Sequence, residues 1–583
     1  MCQTSPSYKK GVILFILLNF IFTCSAQLAV PVSKTSAIST TQSRETNATT
    51  TSKDPKSTKK TLVYLEHSEA LLFDQERLPG IQLLQGDVCF RHDNAYLYCD
   101  SAYFFEEKNS FNAYGHVKIV QGDSLFVYGD ILYYDGNTRM ARLRHNVKME
   151  NRQVTLTTDS LNYDRLNNVG YYFLGGRLQD DLNNLTSVYG YYYPDTDDAL
   201  FNDSVVLINP KFTLNSDTLH YNTKTEIADI LGPTTIIYKE ETTIYSEKGW
   251  YNTRTEESQL LQNSHIYHEG GKHLTGETIF YDKKNGKGEV FKHIAIEDTV
   301  KCMTLYGNYS RYIEKGELAL ATDSALLMEY SGKDTLYIHA DTLYSYAVDS
   351  TNKEVQAYHN VRLYRIDFQG VCDSAIYYTK DSTLHLLHLP ILWSDKRQLT
   401  GDTIRAFLKD GQVDKVFVIN SAFVCEQEDS EKYNQLSGKE LVAYIRNGEL
   451  QQVDVKGNAQ SIFYPKEEDG SMIGFNQTES SYLSAYFKGG KLKRLVLKPK
   501  PSGIMYPLDQ IPSGALYLRN FSWQMDYRPI NKQDIFTDKG RERFTVAASK
   551  NNKQSKNAAK ETSKKRAKNT KGKNISAQGG GKE

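Results

Sequence analysis

Acidic side chains recur in this 583-residue sequence at Asp100, Asp130, Asp159, Asp217, Glu247, Glu277, Asp341, Asp373 and Asp402, mostly about thirty residues apart; Asn308 stands in the acid's place once, and a copy near Val188 lacks it. Carboxylates repeated in this way suggest two chemistries. A glycosidase needs two of them converging on one bond, whereas these repeat along the chain as a framework does. A calcium-binding β-roll needs dense Gly/Asp nonapeptides, which the sequence lacks. Its 13 His are scattered, with neither an H-E-x-x-H nor a Cys/His zinc spacing. No G-x-S-x-G elbow, Walker loop or dinucleotide fingerprint leads into a helix. The residues offer no catalytic set, no metal ligands and no cofactor, and the chain reads as non-enzymatic.

The acids belong to a repeated phrase, best seen in Leu156-Thr157-Thr158-Asp159-Ser160-Leu161-Asn162-Tyr163 and again in Leu214 to Tyr221 and Leu274 to Tyr281. A second phrase alternates with it: Gly86-Asp87-Val88-Cys89-Phe90, Gly115-His116-Val117-Lys118-Ile119, Asn146-Val147-Lys148-Met149. Period-two alternation between Asn/Gly/Asp turns predicts two or three strands per unit, and a fixed period of this length predicts stacked repeats. Within the first phrase, strict alternation puts Leu156 on the opposite face from Leu161 and Tyr163. All three point inward only if the strand gains a residue at Thr158-Asp159, as in a bulge or corner. Asp, Asn and Thr bond nearby backbone at such breaks. The nine acids are therefore expected to be corner residues. The inward positions are expected to be Val88, Phe90, Leu97, Val117, Ile119, Leu132, Val147, Met149, Leu156, Leu161 and Leu219, lining either a groove or a filled core.

Composition bounds the rest. Tyr is abundant at 41, Pro scarce at 14, and the net charge is zero, which favours strands and gives no sign of a nucleic-acid binder. Lys9-Lys10, the apolar run Gly11–Phe22 and Ser25-Ala26 predict a signal peptide over 1–26; lipidation at Cys24 is the alternative. Residues 27–60 read as a disordered Ser/Thr-rich linker and 547–583 as a disordered basic tail. Repeats fill 61–235 and, more divergently, 236–500, followed by a Pro-containing segment over 501–546. Cys89 and Cys99 flank a turn and are either a disulfide or two buried thiols.

As an ordered series, Leu97 to Tyr103, Phe111 to Val117, Gly129 to Gly136, Leu156 to Asp164 and Ser216 to Asn222 resemble the OstA-like proteins of Bacteroidota. These are relatives of the periplasmic lipopolysaccharide-transport protein LptA and of the periplasmic domain of LptD. The resemblance is close over about residues 62–235 and looser to about 500. It implies an all-β fold, an elongated repeat β-jellyroll of the taco type made of two antiparallel sheets. It also implies a periplasmic carrier or bridge that holds the acyl chains of lipopolysaccharide in an apolar groove. Its partners would be other Lpt-type jellyrolls, joined by edge-to-edge strand addition, and an outer-membrane translocon. The chain is much longer than one LptA module and lacks the strand series of an LptD barrel. The competing readings are a structural or adhesive secreted β-solenoid without cargo and a polysaccharide-degrading solenoid enzyme.

Overall fold

Alternating Val, Ile, Leu and Tyr between two- to five-residue turns build hairpin after hairpin. The computed structural model is all-β and antiparallel, and it describes residues 61–544 except 240, 314, 332–333, 350–351, 410–411, 447–448, 468 and 490. The expected signal peptide and basic tail lie outside the described residues, as does residues 27–60. Helix is confined to short single turns such as Glu106–Lys108 and Asp534–Phe536. The chain divides into two compact units, one holding residues 61–266 with Asp282–Lys284, the other Tyr267–Tyr281 and residues 285–544.

In the first unit, strands Gln82–His92, Ala95–Phe105, Ser110–Gln121, Leu125–Asp135, Met140–Asn151 and Val154–Asp164 pair consecutively as an antiparallel meander. Every pairing is interrupted once, near the middle. Between Ser110–Gln121 and Leu125–Asp135, Tyr114 pairs with Ile131 and Val117 with Gly129, so Gly115-His116 face the single residue Asp130. Gly115 and His116 have φ of 76° and 41°, a left-handed pair that bends the strand. His145-Asn146 against Asp159 and Asp203-Ser204 against Asp217 repeat this geometry.

Burial changes parity at each break. In Val154–Asp164, Val154 and Leu156 are buried before Asp159, and Leu161 and Tyr163 after it. Each long strand is thus two arms joined at a crease, and both arms turn apolar side chains to the same interior. Beyond Asp164 the arms are often separate short strands, such as Val169–Tyr172 and Gly176–Gln179.

The second unit uses the same device. Left-handed Lys292-His293 face Asn308, and a break at His359-Asn360 faces Asp373. Its interior is a separate core running from Met303 to Ala485. Cys89 and Cys99 are free thiols, and burial pushes the Cys99 thiol up to about 12.

Candidate functional site

All eleven expected inward residues lie in the first unit's core, and none exceeds 2% exposure. That interior is filled by aromatic rings. Phe90 on one arm stacks on Phe111 of the other at a centroid distance of 4.0 Å. Tyr134, Tyr163, Tyr192, Phe201 and Tyr221 are fully buried beside them. The Tyr172 ring lies over Gly176 and Gly190, where an added Cβ would come within 2.5 and 2.4 Å of it.

Opposite the crease, hairpin ends from the two arms meet in a polar seam. His92 Nδ1 and Arg165 Nη1 lie 2.6 and 2.7 Å from the Tyr134 hydroxyl, and Arg165 Nε donates to Gln121 Oε1 at 3.0 Å. Further along, Asn151 Nδ2 donates to the Tyr192 hydroxyl at 2.9 Å, and Arg152 pairs with Asp197 at 3.0 Å. Next, Asn183 Nδ2 donates to the Tyr221 hydroxyl at 2.8 Å and to Thr253 Oγ1 at 3.1 Å. His92, Asn151, Arg165 and Asn183 are all buried. Buried polar groups are costly unless hydrogen-bonded, so this ladder ties the arms together strongly only while it is intact. Burial lowers the His92 pKa from its ordinary value.

The expected corner acids sit along the two creases, mostly exposed and each bonded to its surroundings. His116 Nδ1 is 2.8 Å from Asp100, Asn146 Nδ2 2.7 Å from Asp130, and His145 Nδ1 3.3 Å from Asp159. Asn263 binds Glu247 at 3.0 Å, His293 binds Glu277 at 2.7 Å and His359 binds Asp373 at 3.1 Å. Asp341 pairs with Arg541, while the Asp217 and Asp402 amides donate to Pro233 O and Asn420 O. The hydrogen bond to Asp100 raises the His116 pKa. Among the described residues no group of three or more His, Cys, Asp or Glu is placed to hold a metal ion.

Two features of the second unit carry no sequence signal of their own. From strand Ile391–Ser394 onward several of its inward side chains are only half-buried: Leu392, Leu399, Val424 and Leu436 on one arm, Val416, Ala443, Leu450 and Phe487 on the other. The outward face of the first of these arms is apolar too, with Val371, Trp393, Phe423 and Cys425 buried. A strap formed by the segment after Tyr506 covers that face, bringing Leu518, Phe521, Trp523 and Met525 against it. Gln435 donates to Leu516 O and accepts from the Leu518 amide, both at 2.9 Å; Gln398 does the same with Ser522 O and the Gln524 amide at 2.8 Å.

A creased antiparallel sheet wrapped around an apolar interior defines the class, an all-β jellyroll-type protein. Over residues 60–217 the chain matches the family model described as OstA-like protein, and this stretch is OstA-like. A solved structure with local similarity is that of LptH from Pseudomonas aeruginosa, described as the LptA homologous periplasmic component of the conserved lipopolysaccharide transport device. It is 15% identical, with a TM-score of 0.16, over 19% of this chain and 76% of that one. No curated protein matches the chain. Among the described residues no helix is long and apolar enough to cross a membrane.

Proposed function

We propose that the chain is a non-enzymatic periplasmic carrier or bridge in lipopolysaccharide transport and outer-membrane assembly, holding acyl chains inside its creased sheet. The observation that carries this reading is a chain, OstA-like over residues 60–217, in each of whose two units the strands turn both arms toward an apolar interior. Apolar burial is worth about 0.8 kcal/mol per methylene, so a chain of about twelve carbons gains on the order of 10 kcal/mol from such an interior. In the first unit Leu161, Leu156, Val117 and their companions line this path when the polar seam parts. The described chain starts with Tyr64–His67 and Ala70–Phe73, which pair only with Gln82–His92 among the described residues; Leu71, Leu72 and Phe73 are about half exposed. An apolar, one-sided edge of this kind favours strand addition by a partner jellyroll.

The protein purified natively from its host is expected to carry lipid A detectable by mass spectrometry. A folded Leu161→Asp variant is expected to block lipopolysaccharide export; normal export by that variant would count against the reading. The filled first-unit core supports a second reading, a structural β-solenoid without cargo, and absence of lipid from the native protein would favour it.

A further inference from the structure

We infer that the second unit holds the resting seat for cargo, and that this seat takes an acylated, phosphorylated lipid with its chain in the half-buried groove and its phosphate on a basic rim. The inference rests on the transport reading above and places its site.

Three observations converge. The first is volume. Where the first core is packed with Phe and Tyr rings, the buried core of the second holds Phe368 as its aromatic residue among the described residues. Its inward rows step down to Ala406, Ala443 and Ala485 on one arm and Gly401, Ala422 and Gly438 near the crease. Side chains near the crease, such as Val418, Leu441 and Val455, are buried, while Val416, Ala443, Leu450 and Phe487 nearer the rim are half-buried. An apolar interior that is buried near the crease and only half-buried toward the rim suits a hydrocarbon chain.

The second is support. An apolar trough in water gains by closing, so a seat that admits cargo needs a braced arm. The arm bearing Leu392, Leu399, Val424 and Leu436 is stiffened from outside by the strap, which Gln398 and Gln435 bond in the manner of an added strand. That arm is therefore preorganised, which lowers the cost of binding.

The third is charge. Three successive hairpins of the other arm end in an inward apolar residue followed by an exposed cation: Leu408-Lys409, Ile445-Arg446 and Phe487-Lys488. Among the described residues none of these cations forms an ion pair. They stand two strands apart, about 10 Å, along the trough's edge. The facing rim is already neutralised, with Arg397 bonded to Glu426 at 2.8 Å and Lys432 to Asp429 at 2.7 Å. An anionic headgroup attached to the buried chain matches the first rim and not the second.

The test uses the full-length protein and purified lipid A, with lipid A lacking phosphates and inorganic phosphate as parallel probes. Ala443→Trp fills the trough, and Lys409→Glu with Arg446→Glu and Lys488→Glu reverses the rim; circular dichroism and the melting point establish that each is folded. The expected results are at least a tenfold loss of lipid A binding for Ala443→Trp and a several-fold loss for the rim variant that disappears with the dephosphorylated lipid. Wild-type binding by a folded Ala443→Trp protein overturns the proposal, as does equal competition by inorganic phosphate. A photo-reactive residue at Leu436 and another at Leu161 separate the two levels. Lipid adducts at Leu161 alone refute the seat and leave transport standing, whereas adducts at neither position, with no lipid on the native protein, refute both.

Discussion

Asp159 and its counterparts illustrate how a residue that looks chemical is held by its backbone. Asp130, Asp159, Asp217 and Asp373 each face a two-residue break in the preceding strand, and Asp100, Asp130 and Asp159 are hydrogen-bonded to a His or Asn from the break of a neighbouring strand. We propose that these acids stabilise the crease and take no part in cargo chemistry. Asp159 is 65% exposed at its side chain, so its bond to His145 is worth little. Asp159→Ala is expected to cost about 1 kcal/mol or less in denaturant unfolding, against about 2–5 kcal/mol for Leu161→Ala in the filled core. The parity slip is readable in sequence because it is local: Leu156 and Leu161 lie five apart in one strand. The partners of the acids are less readable, since His116 and His145 look like ordinary turn residues until the neighbouring strand is in register.

The elements that decide whether the interior is open are the seam and the strap. His92 is buried against Tyr134, and its pKa is lowered mainly by burial. A depressed His pKa contributes stability above the unfolded value of about 6.5 that is lost as pH falls below it. The first unit is therefore expected to melt at a lower temperature at pH 5 than at pH 7.5, and His92→Gln should flatten that difference; an unchanged pH dependence would separate His92 from the seam's stability. For the strap, Gln398→Ala removes two bonds to part-buried backbone and should cost about 0.5–1.5 kcal/mol per bond. Limited proteolysis should then cut after Tyr506 faster than in the parent protein. Neither element announces itself in the sequence. Asn183 meets Thr253 across seventy residues and Gln398 meets Ser522 across more than a hundred, separations that no local pattern carries. Pro507 and Pro512 mark the strap only as a segment that cannot join a sheet interior.

Across the whole molecule, alternation and turn spacing make the all-β class legible before any coordinate is seen. They are silent on the contrast between a filled and an accessible interior. Leu156 and Leu436 occupy equivalent inward positions, three residues before the crease residues Asp159 and Lys439, but the first is fully buried and the second only half-buried. Side-chain volume summed over many strands sets that difference, and it emerges only when the arms are placed face to face. We propose that the creased sheet's interior is a lipid path. Its most direct test is photo-crosslinking in living cells with a benzoyl-phenylalanine at Leu436, read with an antibody to lipid A. A lipid path gives a lipopolysaccharide adduct at Leu436 that is absent when the reactive group is moved to the outward, exposed Tyr444. A folded, normally abundant Leu436 variant that yields no adduct would contradict it.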